Sequence, residues 1–203
     1  DGILYCAENG IVGGYSDGTF QPSKTVTRSN FAVMLSRAFY AGNIEKHNDN
    51  YNQATYGPFA GNYLALFYSG VFDGTSFKEA FSRLDLSTMN IGINRYDMAQ
   101  MMTNIMTKRG FSASSSDKSA AIAKITDYDN IPSQYRDAVA NVYALGIIGG
   151  YSDGTVSGTV TMNRGQGCVV IYRMAQHLGK DAEKPSKTPE KTPEKTPEKA
   201  PEK

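Results

Sequence analysis

Three arginines, Arg28, Arg95 and Arg164, stand 67 and 69 residues apart inside one recurring pattern. Thr27-Arg28-Ser29-Asn30, Asn94-Arg95-Tyr96-Asp97 and Asn163-Arg164-Gly165-Gln166 each open with a helix-capping residue. Three places later each has a side chain able to reach back to the cap's backbone, as in a capping box. The pattern puts every arginine at the first helical position, where the macrodipole disfavours a cation by about 0.3–1 kcal/mol. Recurrence of an unfavourable placement predicts a compensating partner. Free helix N–H groups and a guanidinium aimed into one space would form a carboxylate or phosphate site. The alternative is that each arginine bonds a carboxylate or carbonyl of the neighbouring repeat and pins the assembly.

Upstream of two of these arginines the same seven letters occur. Gly13-Gly14-Tyr15-Ser16-Asp17-Gly18-Thr19 returns as Gly149-Gly150-Tyr151-Ser152-Asp153-Gly154-Thr155, and a degenerate copy, Gly70 to Thr75, precedes Arg95. The glycines allow close backbone approach, and the tyrosines offer rings on which a sugar could stack. Gly13, Gly14, Tyr15, Gly149, Gly150 and Tyr151 are therefore candidate ligand contacts, with a plain tight turn as the alternative. Neither Asp153-Gly154 nor Asp127-Tyr128-Asp129-Asn130 continues into the spacing of a calcium loop.

The elements that must position these residues follow from the third repeat. Ile131-Pro132-Ser133 signals a helix start, and Val139, Val142, Tyr143 and Leu145 recur at helical spacing up to Gly146. This predicts a first helix over about 134–145, a loop to Thr161, and a second helix from Asn163 with Val169, Val170, Ile171 and Met174 inward. The first repeat (about 1–42) places its helices at Ile3 to Glu8 and from Thr27 through Phe31, Leu35 and Phe39, and lacks a counterpart of 125–136. The degenerate middle repeat (56–110) places them at about 61–69 and from Asn94, with Met98, Met101, Met102 and Ile105 inward and a loop seven residues longer. The third repeat spans 125–179. Three related units that bury their apolar faces against each other predict a mainly α, pseudo-threefold object.

Composition narrows the function. Lys180 to Lys203 holds five of the eight prolines, seven lysines and six acidic residues in a Thr-Pro-Glu-Lys repeat, which predicts a disordered linker. Its net charge of +1 equals that of the whole chain, so residues 1–179 are formally neutral, which argues against nucleic acid as a partner. No apolar run approaches the length of a membrane span. His47, in the polar stretch 43–52, and His177, near a helix end, are isolated. No cysteine–histidine pair has metal-ligand spacing and no nucleophile motif occurs, so nothing argues for catalysis, a cofactor or a metal. Cys6 and Cys168 fall on apolar helix positions and read as buried thiols, or as a bridge if the outer repeats touch.

Gly10 to Pro22 followed by Val26 to Ala32, and Ala144 to Tyr151 leading to Asn163-Arg164-Gly165-Gln166, resemble the S-layer homology module over residues 1 to about 179. The resemblance implies three helix–loop–helix units in a pseudo-threefold prism with ligand grooves between neighbours. It implies a secreted, non-catalytic carbohydrate-binding anchor on the surface of Gram-positive-type bacteria. The implied partner is a secondary cell wall polymer, often carrying a pyruvylated amino sugar whose carboxylate is the anion that the arginines ask for. The family's Thr-Arg-Ala-Glu arginine maps onto Arg28, Arg95 and Arg164. Its usual glutamate is Asn30, Asp97 or Gln166 here, and Tyr135 stands where the family often has a tryptophan. These departures predict no more than two well-formed grooves. A structural or protein-interaction module that kept the repeats and lost the glycan is the alternative function.

Overall fold

The computed structural model describes residues 1–179; the expected linker at 180–203 lies outside the described residues. Each repeat contributes a first helix, α1 (Gly2–Glu8), α5 (Ala60–Tyr68) or α9 (Ser133–Ala144), and a second, α2 (Arg28–Phe39), α7 (Arg95–Lys108) or α10 (Arg164–Leu178). Between repeats lie α3 (Ala41–Ile44), α4 (Asn50–Tyr56) and α8 (Ser115–Ile122), and α6 (Lys78–Ser82) sits inside the long middle loop. Each first helix packs on the second helix of the preceding repeat: α5 on α2, α9 on α7, and α1 on α10, which closes the ring. Gly2 permits that closure, since a Cβ there would lie 2.9 Å from the Val169 Cα.

The three segments that lead into the second helices meet at the pseudo-threefold axis. Val26 donates its N–H to Met162 (2.8 Å), Met162 to Ile93 (3.1 Å) and Ile93 to Val26 (2.9 Å), so the backbone bonds run in a closed triangle. The side chains of Val26, Ile93 and Met162 are at most 1% exposed, so these bonds are shielded from competing water.

The expected inward residues Phe31, Leu35, Phe39, Met98, Met101, Met102 and Ile105 are buried, as are Val170, Ile171 and Met174. Val169 is not: it is 36% exposed, because the face of α10 set by Cys168, Ile171 and Ala175 turns it outward. The polar stretch 43–52 between the repeats forms the end of α3, a 3₁₀ turn (Glu45–His47) and the start of α4, which packs on α5. His47 is half-buried there with its ring 5.1 Å from Tyr68. Gly61 makes the approach feasible, as a Cβ on it would meet the Ile44 carbonyl at 2.6 Å. The longer middle loop adds an aromatic cluster in which Phe72 lies 5.2 Å from both Phe77 and Phe81, continuous with the core through Phe67 of α5.

Cys6 and Cys168 are free, buried and side by side where α1 meets α10. The Cys6 thiol donates to the Cys168 carbonyl at 3.7 Å. Contact with Cys168 and burial both push its pKa up, which keeps it protonated.

One glycine admits no side chain. A Cβ on Gly158 would sit 1.8 Å from Tyr96 Cε1, and the Tyr96 ring cannot retreat because it stacks on Tyr135 at 5.2 Å. Gly158→Ala is expected to cost about 1–3 kcal/mol through overpacking, measured as a fall in the urea midpoint. An unchanged midpoint would show that the Tyr96–Tyr135 stack gives way freely.

Candidate functional site

All three arginines occupy the first helical position, behind Thr27, Asn94 and Asn163, whose side chains accept from the third-residue N–H. The full capping box closes only in the third repeat, where Gln166 returns a bond to the Asn163 N–H. Asp97 is one methylene shorter and is drawn elsewhere.

The helix amides expected to face an anion are already used. The N–H groups of Arg28, Arg95 and Arg164 donate to Ile91, Val160 and Lys24 of the neighbouring repeat, at 2.9, 3.2 and 2.9 Å. The next amides, of Tyr96 and Gly165, donate to Gly158 and Pro22. Ring closure has claimed these donors; of the three second-position amides, that of Ser29 has no acceptor among the described residues.

Two of the guanidinium groups are held identically. Arg95 donates from Nε to the Val156 carbonyl (2.8 Å) and from Nη2 to the Gly149 carbonyl (2.7 Å), with Tyr151 5.1 Å from its Cζ. Arg164 does the same to Phe20 (3.1 Å) and Gly13 (2.9 Å), with Tyr15 at 4.9 Å. Each acceptor in the first loop is its counterpart's number less 136, the offset between Tyr151 and Tyr15. Each arginine thus grips the loop of the next repeat around the ring. The Nη1 groups of Arg95 and Arg164 have no hydrogen-bond acceptor among the described residues. Burial lowers the pKa of Arg95, though a guanidinium stays charged at any physiological pH.

Beside Arg95 opens a cleft of about 130 Å³ bounded by Gly149 and by Gln166, Val170 and Arg173 of α10. Arg173 lies nine residues after Arg164, as Arg37 lies nine after Arg28. It bonds the Ile147 carbonyl (3.2 Å), as Asn104 of the middle repeat bonds Val71 (3.0 Å). Arg37 has no hydrogen-bond partner among the described residues, and burial lowers its pKa. The shared nine-residue offset was the signal that would have marked this second pair of arginines in the sequence.

Arg28 is placed differently. It donates to Ser76 Oγ (2.9 Å) and the Thr88 carbonyl (3.2 Å) in the long middle loop, lies over Phe77 at 5.0 Å, and pairs with Asp97 at 3.4 Å. Asp97 is fully buried and also accepts from the Ser76 N–H (2.7 Å), Ser76 Oγ (2.6 Å) and Tyr135 Oη (2.9 Å). A carboxylate supplied by the protein already fills the place opposite this arginine. Tyr135 is buried, and its pKa is raised by burial and by the neighbouring Asp97 charge.

Residues 1–32 and 124–166 match the family model of the S-layer homology domain. These two segments are S-layer homology repeats. The match takes in both copies of the glycine-rich loop, Arg28 and Arg164, and leaves the middle repeat outside. No curated protein matches the chain. S-layer homology domains are in general cell-wall anchoring modules, which places the chain at the cell surface. No described helix is long and apolar enough to cross a membrane, and no described cluster of histidine, cysteine or acidic residues suits a metal.

The loops of the outer S-layer homology repeats are superimposable in their bonding. Tyr15 and Tyr151 donate their N–H groups to the carbonyls of Thr19 and Thr155, both at 2.8 Å, and Gly18 and Gly154 both adopt φ +82°. Gly13, Gly14, Gly149 and Gly150 are exposed, Tyr151 is exposed and Tyr15 half-buried. The Asp17 carboxylate is held below its usual pKa by the Thr19 hydroxyl and N–H, and Asp153 by the Thr155 N–H and hydroxyl. A lowered folded-state pKa contributes stability above the ordinary aspartate range and loses it as pH falls through the folded value. Carboxyl NMR titration should therefore give midpoints for both below about 3.9, the unperturbed value; midpoints at or above it would show that the loop bonds do not persist in solution.

Sequence reasoning missed the roles of two acids. Asp97 was read only as a capping partner. Asp127 was weighed only for calcium, whereas it accepts from the N–H groups of Val156 (2.8 Å) and Ser157 (2.9 Å). The Val156–Ser157 peptide therefore carries Arg95 on its oxygen and Asp127 on its N–H.

Proposed function

We propose that this chain is a non-catalytic anchor that attaches a secreted protein to the cell wall of a Gram-positive-type bacterium by binding an anionic secondary cell wall polymer. The observation that carries the reading is the duplicated arginine clamp. At Arg95 and Arg164 the same two atoms hold equivalent loop carbonyls beside equivalent tyrosines, and Nη1 is left without a hydrogen-bond acceptor among the described residues. A carboxylate, such as that of a pyruvylated amino sugar, suits that remaining donor. Gly13, Gly14, Tyr15, Gly149, Gly150 and Tyr151 form the loop walls on which a sugar ring would lie. Arg28, paired with Asp97, and Tyr135, bonded to the same carboxylate, serve the ring rather than the ligand in this reading. The segment 180–203 would be the spacer to an appended domain.

A second reading, a repeat scaffold that has lost its glycan, is favoured by one observation: Arg28 already has a carboxylate partner within the chain, the fully buried Asp97. A pull-down on purified sacculi, with and without chemical removal of the secondary polymer, separates the two. The anchor reading expects retention that disappears with the polymer. Retention indifferent to polymer removal, or no retention on intact sacculi, sinks it.

A further inference from the structure

The two cysteines of the chain both lie where the first repeat meets the last. Cys6 stands four residues before Gly10, where α1 stops, and Cys168 stands four after Arg164, which opens α10. At the other two junctions the same positions are apolar: Leu66 and Ala32 where α5 packs on α2, and Val142 and Ala99 where α9 packs on α7. All six residues are fully buried. Packing at these places therefore needs only hydrocarbon, yet one junction carries a thiol at both positions.

That junction also differs in its connectivity. The helices α2 and α5 belong to consecutive repeats, as do α7 and α9, whereas Cys6 and Cys168 are 162 residues apart and are joined along the chain only through the whole middle repeat. The fold nevertheless brings the two thiols together. Cys6 donates at 3.7 Å to the Cys168 carbonyl, and the two side chains hydrogen-bond each other. Contacts on both sides fix the crossing. One turn before Cys6, a Cβ on Gly2 would lie 3.1 Å from the Cys168 carbonyl carbon, and Tyr5 lies 5.3 Å from Tyr172, one turn after Cys168. Backbones this close suit a disulfide, which needs Cα atoms no more than about 7 Å apart.

We propose that Cys6 and Cys168 are the site of a disulfide that closes the ring covalently between the first and last repeats. Disulfides form and persist at cell surfaces, and the oxidant required is a low-molecular-weight disulfide, RSSR. While α1 is lifted from α10, the Cys168 thiolate attacks RSSR, releases one RSH and becomes a mixed disulfide. When α1 docks again, Cys6 gives up its proton, attacks the Cys168 sulfur and expels the second RSH. Two thiols are oxidised, RSSR is reduced to two RSH, and both protons leave on the products. The new bond encloses 162 residues of chain, and a loop of that length should raise Tm by about 5–15 °C.

The test equilibrates the whole chain with oxidised glutathione, unfolds it in an alkylating denaturant and weighs it. The expected product is a monomer lighter than the reduced protein by two hydrogens, with neither cysteine alkylated and with the Cys6 and Cys168 peptides joined in a non-reducing digest. Its Tm should stand above that of the reduced protein by the amount given, and dithiothreitol should abolish the difference. Cys6→Ala and Cys168→Ala should show no such rise and should each take up one glutathione instead. Two alkylated cysteines after equilibration up to the onset of unfolding, disulfides only between chains, or a bridged form no more stable than the reduced one would each overturn the proposal. No ligand enters this chemistry, so failure of sacculus retention would count against the anchoring function alone.

Discussion

Asp97→Ala is expected to be the most destabilising single substitution at the repeat junctions. It removes a fully buried carboxylate that Arg28, Tyr135 and two groups of Ser76 all share. The Arg28 side chain is only 11% exposed, and its Nε is already buried without a partner, so it has little access to water in compensation. Breaking one side of a buried ion pair typically costs about 3–5 kcal/mol. For a domain of this size that corresponds to a Tm lower by roughly 10 °C. A double-mutant cycle checks the assignment: Arg28→Ala should cost much less in the Asp97→Ala background than in the native one. Additive costs would mean that the pair does not interact as the geometry implies.

Arg95→Ala and Arg164→Ala are expected to abolish retention on sacculi while leaving folded proteins of lowered stability. Each deletes two charge-assisted bonds to the next repeat's loop, and such bonds contribute about 1.5–3 kcal/mol where they are shielded. Arg95 is 9% exposed and should show the larger loss, about 2–3 kcal/mol or some 6–9 °C in Tm. Arg164 is more exposed and should lose about half as much, since solvent screening discounts it. Arg95→Lys and Arg164→Lys keep the charge but lose the planar fork that spans two carbonyls at fixed spacing, so they should restore little retention. Retention at 25 °C by alanine variants whose circular dichroism remains native would remove these arginines from the binding reading.

The ring was legible in the sequence because its parts obey local rules. Caps at Thr27, Asn94 and Asn163, glycine stops and apolar spacing specify the helices within each repeat, and the recurrence of Arg28, Arg95 and Arg164 implies their joint role. What the arginines touch was not legible. Arg164 and its acceptor Gly13 are 151 residues apart, and no local rule says that a neighbouring loop carbonyl, rather than a solute, meets the guanidinium. The same limit hid Asp97, whose partners Ser76, Arg28 and Tyr135 come from three repeats. The helices of the connection at 43–52 left no signal in the sequence because they are short and polar, and depend on packing against α5 rather than on their own propensity.

The triangle of backbone bonds at the axis also determines how the domain would carry a mechanical load. A pull applied at Gly179 enters through α10. The start of that helix is held on one side by Arg164 and Gly165, bonded to Lys24 and Pro22 of the first repeat, and on the other by Met162, bonded to Ile93 of the second. These bonds act in parallel, so tension on one repeat divides between its two neighbours before any of them yields. A linear stack of repeats would peel from its loaded end one unit at a time. A closed ring offers no end at which peeling can begin.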